Sequence, residues 1–201
     1  MTIQKNQEWG SSQVVPSQVV YCSSDSALSQ SFADGHRDFV LSNGEMFTTL
    51  GEPDIKSIGD QAIRLPIDMM KIEIFTRANS RIQYFAASHV SSGHWLSHDF
   101  VVITNTGRCG SYDIAPRAHP NDGTLDMMKL NTEMKLQQRV LARHRARTGT
   151  HVPHPSINVS RHSTIDLVRH KRARLCLDGV DIKDWKSASI TVLADACYIY
   201  V

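Results

Sequence analysis

The 201-residue sequence lacks most of the features that announce a function outright. Its 11 glycines are never adjacent, and neither a GxGxxG nor a GxxxxGK pattern occurs, so no glycine-rich loop is visible to wrap a nucleotide's phosphates. There is no Gly-x-Ser-x-Gly elbow for a serine nucleophile. Cys22, Cys109, Cys176 and Cys197 stand far apart, which excludes zinc-knuckle spacing and argues for free thiols over a disulfide framework. No apolar run approaches the ~20 residues that span a bilayer. Lys5 and Glu8 interrupt the first turn of chain, so no secretory signal is read there and the expected location is the cytoplasm. A net charge of +2 and the absence of any DNA-binding motif leave no specific nucleic-acid partner expected.

What is present reads as mostly β. Ile63, Leu65 and Ile67 alternate with polar residues, and so do Met70, Ile72 and Ile74, the period of a half-buried strand. Further strands are predicted at 82–86, 100–104 and 125–130, the last entered through the turn Asn121-Asp122-Gly123. Others follow at 164–168, 173–177, 189–193 and 197–201, with Asp195-Ala196 as a tight turn between the last two. One helix is predicted over 132–147, with Leu136, Val140 and Leu141 on one face and Arg139, Arg143 and Arg147 on another. That basic face reads first as a solvated surface, and secondly as a contact for phosphate or an anionic membrane. Residues 1–17 read as a flexible arm, 18–51 as a short α/β lead-in, and 52–201 as the main domain. The expected fold is mainly β (α+β): an antiparallel β-sandwich or barrel-like domain with one long helix and a short N-terminal α/β remnant.

Four segments resemble the lipid kinases that include bacterial diacylglycerol kinases and sphingosine kinases. Ala115-Pro116 through Asn121-Asp122-Gly123-Thr124-Leu125-Asp126 is similar to that family's "aP-x-a-x-x-x-DG-x-LD" turn, with Asn105 and Gly110 before it. The helix and Gly149-Thr150-His151 are similar to its "G-x-H" exit. Leu177-Asp178-Gly179 stands where the family has a "DGE" hairpin, and Glu45 to Gly51 resembles the tail of "GT-x-NDFAR-x-LG". The resemblance implies the family's C-terminal β-rich domain, with residues 18–51 as the remnant of its nucleotide-binding domain.

The same resemblance exposes two departures. The family holds ATP with a "GGDGT" loop, and no such string exists here. Its "DGE" glutamate accepts the proton of the lipid hydroxyl, and Val180 stands in that place. Asp178 and Asp181 are the remaining catalytic candidates, although on a strand one residue's shift turns the side chain to the opposite face. Asn105, His119, Asp122, His151 and His154 are the candidate ligand-binding residues because they lie in or beside the matching motifs. A structural Mg²⁺ is implied at Asp122 and the carbonyl of Thr124. The alternative for Asp122 is a turn whose carboxylate bonds its own backbone. The expected function is non-catalytic binding of a lipid-like or phosphorylated ligand or a protein partner. The alternative is a lipid phosphotransferase completed by a separate nucleotide-binding chain.

Overall fold

The computed structural model describes residues 9–97, 99–170 and 173–201; the first eight residues of the expected arm lie outside them. The chain runs through β1 (Ser11–Val14), β2 (Val20–Cys22), α1 (Asp25–Ala33), β3 (Asp38–Leu41) and α2 (Glu45–Thr49). It continues with β4 (Gln61–Phe75), β5 (Arg81–Ala86), β6 (His89–Ser92), β7 (Val101–Thr104), β8 (Arg108–Cys109) and β9 (Tyr112–Asp113). After β10 (Leu125–Leu130), α3 (Leu136–Arg145) and a 3-10 turn (Ala146–Thr148) come β11 (Ile157–His162) and β12 (Thr164–Val168). The chain ends with β13 (Leu175–Leu177), β14 (Val180–Ile182) and β15 (Ser187–Tyr200).

Two sheets form an open sandwich. The first has the order β1-β4-β15-β3-β2, with β5 also on β4 and β12 also on β15; the second has the order β11-β10-β7-β6-β13-β14. Pairing is antiparallel except where β3 joins β15 and β2 joins β3. The period-2 reading of residues 61–75 is realised as one continuous strand, and its two faces serve two cores. Met70, Ile72 and Ile74 meet Val90, Ile103, Leu125 and Leu175 of the second sheet. Leu65, Ile67 and Met69 point the other way, under Leu28 and Phe32 of α1 and Met46 of α2. Alternation on a long strand shared by two layers makes this possible without a break.

Three local expectations change. The last strand is continuous from Ser187 to Tyr200, and Asp195-Ala196 is a bulge, not a turn: Met69 pairs with Leu193 but Ile67 pairs with Cys197, leaving three residues opposite Asp68. Ser11–Val14, read as part of a loose arm, is a strand registered against Gln61–Arg64. In α3 the buried residues are Arg139 and Ala142, while Leu136, Val140 and Leu141 are exposed, the reverse of the expected orientation. The Arg139 guanidinium donates to the carbonyls of Met134 (2.9 Å), Asn131 (2.7 Å) and Ser97, and the Trp95 indole donates to the carbonyl of Arg139 (3.0 Å). Rotating the aliphatic residues inward would strand a charge that now has three acceptors. The arginine sets the helix's rotation.

Candidate functional site

Three carboxylates from distant parts of the chain meet where α1, α2 and the β13–β14 hairpin converge. Asp178 opens the hairpin in the left-handed region, at φ 45°, followed by Gly179 at φ 84°. Its Oδ1 accepts from the backbone N–H groups of Ser88 and His89, both at 2.9 Å. Its Oδ2 accepts from the N–H of Ala87 and the hydroxyl of Ser29, both at 2.7 Å. Asp25, in the first turn of α1, accepts from the N–H groups of Glu45 (2.6 Å) and Met46 (3.1 Å), the start of α2. Gly44, at φ 117°, makes that approach possible, since a Cβ there would stand 2.7 Å from Asp25 Oδ1. Glu45 Oε2 accepts from the Ser88 hydroxyl and lies 2.7 Å from His89 Nδ1, while Oε1 accepts from the N–H of Gly110. Each of these six carboxylate oxygens has a protein donor.

The electrostatics follow from burial and crowding. Burial pushes the Asp25 carboxyl up to about 6, aided by the nearby Asp178 and Glu45. Burial also opposes ionisation of Glu45, but donors from His89, Ser88 and Gly110 outweigh it and hold this carboxyl below its ordinary value. His89 is the counterpart. Desolvation disfavours its charge, yet contacts with Cys109, Cys176 and Glu45 raise it well above the ordinary imidazole value. The pair is therefore an ion pair at neutral pH. Asp181, the other catalytic candidate, is exposed on β14 and faces Arg174 at 3.5 Å.

A second polar knot surrounds the acidic turn. Asp68, buried at the centre of β4, accepts from the N–H groups of Gly123 (2.7 Å) and Asp195 (2.9 Å) and from the Asn121 amide (3.2 Å). Burial first, and the Asp122 charge after it, lift its carboxyl to about 6. Asn105 is buried too and donates to the carbonyl of Asp68 at 2.7 Å. Asp122 bonds its own turn, accepting from the N–H (3.0 Å) and hydroxyl (2.7 Å) of Thr124. Arg161 stands before it and Asp126, at 3.6 and 3.2 Å. A guanidinium between two carboxylates supplies the positive charge a Mg²⁺ would bring, so Asp122 and Thr124 do not fit that ion. Among the described residues no three His, Cys, Asp or Glu side chains are grouped to hold a metal.

An open groove of about 980 Å³ lies beside this knot. Pro116, Val152, Pro155 and Val159 give it apolar walls, and Arg117, His154 and Arg161 give it cationic or polar edges. Of the ligand-binding candidates, His154 lines the groove. His151 is buried behind it, with Nε2 3.1 Å from the carbonyl of Ile114. His119 packs edge-on against Trp9, their rings 4.5 Å apart. Asn105, through its Nδ2, and Asp122 bond within the second knot.

Two features escaped the sequence reading. Asp25 is the first: it lies in the serine-rich strand-to-helix junction Ser23-Ser24-Asp25-Ser26, and its partners at Glu45 and Met46 are 20 and 21 residues away. Ser24 uses its hydroxyl to cap its own helix, accepting from the N–H of Ala27 at 3.1 Å. The second is the Glu45–His89 pair, whose members lie 44 residues apart.

The sequence matches the family model of the YegS C-terminal NAD kinase beta sandwich-like domain over residues 66–193. No curated protein matches the chain. Among solved structures, two of putative diacylglycerol kinases from Bacillus anthracis str. Sterne superpose with TM-scores of 0.57 and 0.59, at 11% and 10% identity. They cover 91% and 90% of this chain and 77% and 76% of their own. Yeast NADH kinase complexed with NADH superposes with a TM-score of 0.54 at 11% identity, over 92% of this chain and 61% of that enzyme. At such identities the likeness concerns the fold.

Proposed function

We propose that this chain, which belongs to the family of the YegS C-terminal NAD kinase beta sandwich-like domain, is a non-catalytic binder of a lipid-like or phosphorylated ligand. The carrying observation is that Asp178 accepts four hydrogen bonds, two on each oxygen, while every oxygen of Asp25 and Glu45 accepts at least one. A general base must have a lone pair within reach of the acceptor's proton. In this knot the lone pairs face Ala87, Ser88, His89, Gly110 and the start of α2. The strand-to-helix junction at Ser23-Ser24 likewise spends a hydroxyl on its own helix, and side chains replace the bare backbone that cradles phosphates.

The binding half of the reading rests on the groove. Apolar walls suit an acyl chain, and the Arg117, His154 and Arg161 edge suits a phosphate or carboxylate head. Incubation with ATP, Mg²⁺ and a lipid panel is expected to yield no phosphorylated lipid. Product that forms with the wild-type protein and disappears in Asp181→Asn would overturn the non-catalytic reading. Titration with a short-chain phosphatidic acid is expected to show saturable binding that Val159→Trp weakens at least tenfold by filling the groove. Binding indifferent to that substitution would move the ligand elsewhere.

A split phosphotransferase is favoured by one observation: the first sheet ends, among the described residues, on β2, a short strand paired on one side with β3. A partner chain could extend the sheet there. Failure of the purified protein to associate with an isolated "GGDGT" domain counts against this reading.

A further inference from the structure

We infer that α3 is a peripheral docking element for an anionic lipid surface. The helix turns Leu136, Val140 and Leu141 outward, exposed at 61%, 53% and 49%. These positions fall at i, i+4 and i+5, an apolar strip on one face that also carries Gln137 between Val140 and Leu141. Arg143 flanks one side of the strip and Arg145 the other, and His144 lies within it. From Lys135 to Arg147 the sequence carries no acidic residue. An apolar ridge between arginines complements a membrane whose headgroups are anionic and whose interior begins just below them.

The orientation is built in. Buried Arg139 donates to three carbonyls beneath the helix, so the strip cannot turn inward without unpairing that cation. The C-terminus is fixed as well: Gly149, at φ 67°, ends the 3-10 turn with room for no Cβ beside Asp113 and Pro116. Its N-terminus is held by the N–H of Lys135, which donates to the Gln138 side chain at 3.1 Å. A rigidly presented strip loses little conformational entropy on docking. No helix of the described residues is long and apolar enough to cross a membrane, so the contact is interfacial. No residue of α3 itself lines the groove or belongs to the carboxylate knot.

The test is partition onto sedimentable vesicles of phosphatidylcholine with and without phosphatidylserine. The full chain is expected to bind the phosphatidylserine vesicles and not the pure phosphatidylcholine ones, and to release as salt rises. Arg145→Gln with Arg147→Gln should lower the partition constant about 25-fold, at roughly fivefold per charge. Leu136→Gln with Val140→Gln keeps the charge and should lower it about tenfold by removing the inserted aliphatic surface. Lys183→Gln, which removes one charge from an exposed residue outside α3, should leave it unchanged. Equal binding to both vesicle types, equal loss with Lys183→Gln, or no loss with either α3 double variant each overturns the assignment. A concentration-dependent mass increase that Leu136→Gln with Val140→Gln abolishes, without vesicle binding, assigns the face to a second copy and overturns it too.

Discussion

The carboxylate knot and the groove are placed by the same sandwich, yet they are finished in opposite ways. In the knot, Asp25, Glu45 and Asp178 are each met by donors from another part of the chain. In the groove, Arg161 is held by Asp126 and the carbonyl of Arg117, and the walls beside it stay open. Polar groups that satisfy one another hold a fold together; reactivity or binding needs some that wait for a partner. The difference locates stability in the first region and leaves the second as the place we propose for recognition.

Breaking the knot should have the largest effect. Asp178→Ala leaves the N–H groups of Ala87, Ser88 and His89 without their acceptor, at roughly 4 kcal/mol or more of lost stability by denaturant unfolding. Arg139→Met should cost on the order of 3 kcal/mol by the same measurement, since it abandons the carbonyls of Asn131, Met134 and Ser97. Arg145→Gln, on the exposed side of the same helix, should stay within about 0.5 kcal/mol.

Asp25 sharpens the comparison through pH. Its carboxyl is raised on folding from 3.8 to about 6, so the folded state takes up a proton between those values. The associated stability is fully present below the unfolded value and is lost as pH rises through about 6. At about 1.4 kcal/mol per unit this is on the order of 2–3 kcal/mol. The pH slope of unfolding free energy between pH 4 and 7 should therefore be flatter in Asp25→Asn than in the wild type, whatever the variant's absolute stability. An unchanged slope would mean that Asp25 is not desolvated as described. The smallest effect is expected at the groove, where Val159→Trp should leave stability within about 0.5 kcal/mol.

Much of the scaffold was legible. Met70, Ile72 and Ile74 announced a strand by period alone, and the motif around Asn121-Asp122-Gly123 placed a turn before β10 correctly. Asp122 was legible as a group that bonds its own backbone, because an Asx turn is local. The rotation of α3 was not. Hydrophobicity argues for burying Leu136 and Val140, and only the carbonyls of Asn131, Met134 and Ser97 make Arg139 the better residue to bury. The bulge at Asp195 was equally hidden. A reader of residues 187–201 cannot see that Asp68, from β4, waits opposite to take its N–H.

By itself the sequence determined the β-rich class, the family and the absence of a glycine loop, because periodicity and short motifs are properties of neighbours along the chain. The tertiary structure alone decided which charges are spent and which are free. Asp178 became an anchor and Arg161 a groove edge through partners 35 to 149 residues away, and such pairings exist only once the sheets have closed.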